Sequence, residues 1–106
     1  MKGIPKPPKH LGPKGRKLWR GILKEYVIDE THDLMRLAEA CHCADRIDAA
    51  RQEIEKQGEY FIDRFGQPKP HPAFAIEKDN KILLCRILRE LNLDTPPPES
   101  RPPGLY

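Results

Sequence analysis

At 106 residues, with 38% apolar residues, 33% charged residues and 12 prolines, the chain has room for one small domain. No stretch approaches the roughly 20 apolar residues of a membrane span, and the basic, proline-rich start lacks a hydrophobic signal core, so a soluble, intracellular protein is expected. The formal charge of +3 hides an asymmetry: a wholly basic front end precedes a net acidic remainder.

The prolines gather at the two ends, Pro5, Pro7, Pro8 and Pro13 in front and Pro96, Pro97, Pro98, Pro102 and Pro103 behind. That composition divides the chain into a flexible basic arm over 1–13, a helical core over 14–94 and a proline-rich tail over 95–106. About 80 residues remain to fold, a size at which one core leaves only a few kcal/mol of margin. Association with further copies is one physical remedy.

In the arm, Lys2, Lys6 and Lys9 alternate with prolines, which favours an extended, polyproline-like backbone. Lys14, Arg16, Lys17 and Arg20 follow, with no acid among the first twenty residues. A segment of one charge sign attracts a polyanion, and each phosphate it neutralises releases counterions. The competing reading is that the arm serves solubility alone.

The first helix is expected from Pro13 or Lys14 to Val27. Leu18, Trp19, Ile22, Leu23 and Tyr26 form one apolar stripe, and Lys14, Arg16, Lys17, Arg20 and Lys24 spread over the rest. Trp19 has two readings, a platform for stacking bases or a core anchor, and its place inside the stripe favours the core. The basic face is the candidate DNA-binding surface: Lys2, Lys6, Lys9, Lys14, Arg16, Lys17, Arg20 and Lys24.

An acidic turn, Ile28 to His32, leads to a second helix over about Thr31 to Gln57, with Thr31 or Asp33 placed to cap it and Glu30 and Asp33 suited to the positive end of its dipole. Leu34, Leu37, Ala38, Cys41, Ala44, Ile47, Ala50 and Ile54 make its apolar side. At about 25 residues it spans roughly 38 Å, too long for the short first helix to cover, so part of it is expected at a subunit interface. A helix-turn-helix is disfavoured here, because the start of the second helix carries Asp29, Glu30 and Asp33 where phosphates would lie.

Gly58 ends that helix at a position suited to positive φ. The loop Glu59 to His71 fits an extended pair or a hairpin with Gly66 in its turn, its aromatics Tyr60, Phe61 and Phe65 packing on the two long helices. Pro72 suits the first turn of a third helix, and His71 serves as a helix-start cap rather than a catalytic base. Ile76, Leu83, Leu84, Ile87, Leu88 and Leu91 then recur at helical spacing until Asp94-Thr95-Pro96 stops the helix.

Three cysteines make no disulfide framework. Cys41, His42 and Cys43 occupy consecutive helical positions about 100° apart and cannot close a tetrahedron together, so no metal is assigned and Cys41 and Cys85 are read as buried apolar residues. No phosphate-binding glycine loop and no acidic metal constellation is present, which leaves no catalytic residue and no cofactor to assign.

Taken together, Leu-x-x-x-Gly-x-x-Leu-Trp at Leu11 to Trp19, the acidic Asp29-Glu30, the helix end Ile54-Glu55-Lys56-Gln57-Gly58, the run Phe65-Gly66-Gln67-Pro68-Lys69-Pro70-His71-Pro72-Ala73 and the closing Leu88 to Asp94 carry a resemblance. In order and spacing, over roughly Pro8 to Asp94, the chain resembles the small terminase subunits of tailed double-stranded DNA phages and prophages. The resemblance implies a mostly α, ring-forming DNA-packaging factor in the host cytoplasm. Such a factor engages viral double-stranded DNA, presents it to the large terminase subunit that carries the ATPase and nuclease, and modulates that motor. It implies no catalysis. Many members carry a separate helix-turn-helix domain and a longer C-terminal segment that this sequence does not display, which bears on sequence-specific recognition more than on DNA binding itself. The tail, with Leu105 and Tyr106, is a candidate docking segment for the large subunit. The rival class is a small helical adaptor acting through protein contacts without DNA, and a hydrolase built on His71 or Cys41 lacks partner residues.

Overall fold

The computed structural model describes residues 4–93; Lys2 and the tail over 95–106 lie outside the described residues. Three helices, α1 (Pro13–Glu25), α2 (Thr31–Gln57) and α3 (Ala73–Glu90), carry the fold, and a two-stranded antiparallel hairpin, β1 (Tyr60–Ile62) and β2 (Pro68–Pro70), lies between the two long ones. The chain is mostly helical, with the two long helices packed against each other.

Helix α2 is the central element because its apolar residues occupy two sides. Leu37 and Cys41 join Leu11, Trp19, Ile22 and Leu23 in one core under α1. Ala40 and Cys43 join Ile87 of α3 in a second, and Leu88 and Leu91 pack against both. Ala40 and Cys43 are small, so α3 approaches α2 closely along this face. Part of the cover that the sequence reading assigns to a neighbouring subunit is supplied by α3 of the same chain.

The N-terminus of α1 is docked by one carboxylate. Asp45 of α2 accepts the Gly12 N–H at 2.7 Å through Oδ2 and the Gly15 N–H at 2.8 Å through Oδ1. An anion at this point satisfies donors that the first helical turn leaves unpaired and sits at the positive end of the dipole. Pro13 opens the helix where its missing N–H costs nothing. Capping of α2 differs from the sequence expectation. Neither Thr31 nor Asp33 caps it: Glu30 is the capping residue without a side-chain bond, and Asp33 pairs instead with Arg36 at 3.3 Å.

The arm is the larger difference. Residues 4–12, expected as a flexible extension, are packed along α1. Leu11 is only 3% exposed, the Trp19 indole N–H donates to the Pro5 carbonyl at 2.8 Å, and Arg16 donates to the carbonyls of Leu11 and Lys9. The hydrogen-bond capacity of one tryptophan and one arginine fixes a backbone that its prolines keep from forming a helix.

Between α2 and α3 the turn chemistry is legible in the residues. Gly58 ends α2 at φ 87° and Gly66 turns the hairpin at φ 77°. His71 caps α3: its Nδ1 accepts the Ala73 N–H at 3.0 Å, and its Nε2 lies 2.8 Å from Gln57 Oε1. With Nδ1 accepting, the ring proton is on Nε2 and donates to Gln57, so one imidazole ties the end of α2 to the start of α3. One expectation fails here, and the apolar side of α3 is only partly covered. Tyr60, Phe61, Ile62 and Phe65 do not pack on the helices but are exposed, and Ile76 and Leu83 of α3 are more than one-third exposed. A hairpin of three-residue strands is too short to fold back over helices it merely connects.

Candidate nucleic-acid interface

Successive residues of α1 point about 100° apart, which places Arg16, Lys17, Arg20 and Lys24 within about 100° of one another on the side away from α2, with Lys14 about 60° beyond Lys17. Gly15, Trp19, Ile22 and Leu23 are buried against α2. Arg20 and Lys24, one turn apart, are exposed on the outward side. Arg16 lies beside them, half-buried, with its guanidinium holding the Lys9 and Leu11 carbonyls. That contact carries the Lys9 backbone to the same end of the helix, and the Lys6 and Lys9 side chains lie outside the buried core. Lys17 is exposed on the same outward side, and Lys14 and Lys17 border a cleft. Among the described residues, none of Lys6, Lys9, Lys14, Lys17, Arg20 and Lys24 is ion-paired with a carboxylate. Of the eight residues singled out in the sequence, then, Lys17, Arg20 and Lys24 form one outward group with Lys9 and Arg16 at its end. Lys14 lies at the edge of a second surface, which Lys17 also borders.

That second surface is a cleft of about 630 Å³ between α1 and α3, over α2. Leu18, Ile22, Ile47 and Leu84 give it an apolar floor, and Lys14, Lys17, Arg51 and Lys81 supply its positive rim. Glu25 and Asp48 are the acids that line it. Arg51 of α2 and Lys81 of α3 are held by a shared carboxylate, Glu77, at 2.9 and 2.8 Å. Hydrogen bonds from Lys81 and Arg51 keep the Glu77 carboxyl below the usual carboxylate range. The contribution of this triad to stability is therefore complete above the ordinary glutamate range and is lost as pH falls through the lowered value. Arg51 and Lys81 are absent from the candidates that the sequence offers. The Glu77–Lys81 spacing is readable as one helical turn, but nothing in the linear order brings Arg51 to it.

The cysteines carry no metal chemistry that the geometry supports: among the described residues, no group of three or more His, Cys, Asp or Glu is arranged to hold an ion. Cys41 and Cys43 are buried and Cys85 is exposed, which corrects the assignment of Cys85 to the core and adds Cys43 to it. Burial pushes the Cys41 thiol up from the ordinary 9.0 to about 12, with the nearby Asp45 and Cys43 adding to the effect. The Cys43 thiol is raised as well, chiefly by burial. Because the thiolate is the nucleophile, a maleimide at neutral pH is expected to label Cys85 alone in the native chain, and Cys41, Cys43 and Cys85 after denaturation. Above pH 9 the unfolded Cys41 ionises while the folded one keeps its proton, so stability is expected to fall as pH rises from there. Mass spectrometry of the labelled chain checks the first expectation; native labelling at Cys41 would contradict the packing described.

His42, next to these thiols, packs edge-on against His10 of the arm with ring centroids 5.6 Å apart. It thus contributes to holding residues 4–12 in place. No helix among the described residues is long and apolar enough to cross a membrane. In comparisons with known proteins, the chain matches no family model, no curated protein and no solved structure.

Proposed function

We propose that this chain is a small terminase subunit of a tailed phage or prophage, a non-enzymatic DNA-packaging factor that assembles as a ring, binds viral double-stranded DNA and delivers it to the large terminase subunit. The observation that carries the reading is the outward face of α1 with Lys17, Arg20 and Lys24, exposed cations with no carboxylate partner among the described residues. The order of motifs from Leu11 to Asp94 supports it, as does the division of the small core into two clusters that leave large apolar side chains exposed.

Each subunit offers only a few phosphate contacts, and a few such contacts bind weakly and dissolve in salt. A ring repeats them, and the effective concentration of each next contact makes the assembly bind where one subunit does not. Lys17 belongs to this face and, with Lys14, borders the cleft.

Fluorescence anisotropy with duplex DNA over a salt series tests the DNA contact. Affinity is expected to fall steeply with salt, and Arg20→Glu with Lys24→Glu to reduce the slope of log affinity against log salt by about 2 for each subunit engaged. Binding indifferent to salt, or unchanged in that double variant, rules out this face. The adaptor reading has its own support in the exposed Tyr60, Phe61, Ile62 and Phe65, which suit a protein contact. It predicts no binding of duplex DNA in the same titration.

A further inference from the structure

Helix α3 turns Ala73, Leu84, Ile87 and Leu88 inward, and its opposite side has no cover from its own chain. Ile82 and Leu83 are adjacent on that outer side, 51% and 40% exposed. One turn before them stands Asp79 and one turn after them Arg86, both exposed. At 100° per residue, Asp79, Ile82, Leu83 and Arg86 fall within about 100° of one another. No hydrogen bond or ion pair among the described residues involves the side chain of Asp79 or Arg86. Glu90, one turn beyond Arg86, is exposed and does not pair with it.

The spacing is symmetric about a point midway between Ile82 and Leu83: Asp79 stands three positions before the first and Arg86 three positions after the second. A two-fold axis through that point, perpendicular to the helix, lays a second α3 antiparallel to the first. Asp79 then falls opposite Arg86 of the other copy and Ile82 opposite Leu83, and the same pairs recur in reverse. We infer that α3 of one copy packs antiparallel on α3 of a second copy through Asp79, Ile82, Leu83 and Arg86. The contact is isologous, with an apolar centre and an ion pair at each end.

Charge selects this occupant and its direction. A parallel arrangement would set Asp79 against Asp79 and Arg86 against Arg86, which is repulsive at both ends. In the antiparallel one Glu90 falls opposite Ala75 and meets no like charge. Pairing over the 18 residues of α3, about 27 Å of helix, makes a contact at the small end of the specific range, so the pair dissociates on dilution. The contact does not rest on the ring reading. An isologous pair closes on itself, and a ring that contains it is built through a different surface and doubled by this one.

The test uses the full chain without DNA and reads mass by sedimentation equilibrium over a dilution series. Asp79→Arg and Arg86→Asp are made singly and together. Each single swap sets like charges opposite at both ends and is expected to halve the mass of the parent, whether the parent is a pair of subunits or a pair of rings. Mixed in equal amounts, the two single swaps are expected to regain the parent's mass, because each meets the opposite sign at both ends. The doubly swapped chain is expected to regain it alone. Far-UV circular dichroism confirms that each variant is folded, and a regained mass itself requires two folded partners. A parent at the mass of one subunit throughout the series overturns the contact and leaves the face to a different partner. Single swaps that keep the parent's mass overturn it too, as does a mixture or a doubly swapped chain that stays at half that mass. Single swaps that run as one subunit support the pair and count against a ring formed without DNA; single swaps that run as several subunits support both.

Discussion

Replacing Gly15 with alanine is expected to lower the melting temperature by roughly 15 °C, from a destabilisation of about 3 kcal/mol in a domain of this size. A β-carbon on Gly15 would lie 2.7 Å from the Cys41 backbone carbonyl and run into the Asp45 carboxylate. The carbonyl belongs to the α2 backbone and cannot swing aside, so α1 must lift from α2. Lifting it loses both of the hydrogen bonds through which Asp45 holds Gly12 and Gly15. The same change elsewhere in the same helix has the opposite sign. A β-carbon on Gly21 meets nothing within 4 Å, and alanine there is expected to stabilise by up to about 1 kcal/mol through helix propensity. Thermal melts of the two variants side by side decide the matter. A Gly15→Ala protein that melts with the parent would show that α1 is not seated as described.

Trp19→Ala is the second large effect, with an expected loss of about 3–5 kcal/mol, close to the whole stability of so small a domain. The indole is 4% exposed within the core formed by Leu11, Ile22, Leu23, Leu37 and Cys41. Its N–H donates to Pro5, so it also anchors residues 4–12. Trp19→Phe separates the two roles. It keeps most of the apolar volume and removes the hydrogen bond, for a loss of about 1 kcal/mol beyond the change in packing. Limited proteolysis is then expected to cut between Ile4 and Leu11 while the helices persist. The same variants choose between the stacking and the anchoring roles of Trp19. A stacking platform would give a stable Trp19→Ala protein with weakened DNA binding; a core anchor gives an unstable protein, and Trp19→Phe leaves the salt dependence of DNA binding unaltered.

The motif Leu-x-x-x-Gly-x-x-Leu-Trp acquires a physical meaning from these contacts that does not involve DNA. Leu11 is buried, Gly15 lets α1 approach the α2 backbone and Trp19 pins the arm. The run ending His71-Pro72-Ala73 is likewise architectural, since its imidazole caps α3 and reaches back to Gln57. Both stretches are prominent in the sequence because backbone geometry admits few residue types at such points.

Local chemistry makes several features legible in the amino-acid order alone. The bounds of α2, the glycine turns at Gly58 and Gly66, the hairpin and the capping histidine all depend on residues within a few positions of one another. The buried side of α1 is readable too, because that helix has one apolar stripe and turns it mainly toward α2. Helix α2 is harder. It is packed on two sides, so a single apolar stripe picks out Leu37, Cys41 and Ile47 and passes over Ala40 and Cys43.

What the amino-acid order determined by itself is a mostly helical chain with its positive charge at the front and its turns already placed. Only the tertiary structure decided which cations look outward, which line the cleft, and that residues 4–12 are packed rather than free. The reason is the range of the interactions involved. Capping and periodicity act within one or two turns of a helix, whereas Asp45 reaches back to Gly12 and Gly15, and Arg51 reaches forward to Glu77, only after α2 has been flanked by both of its neighbours.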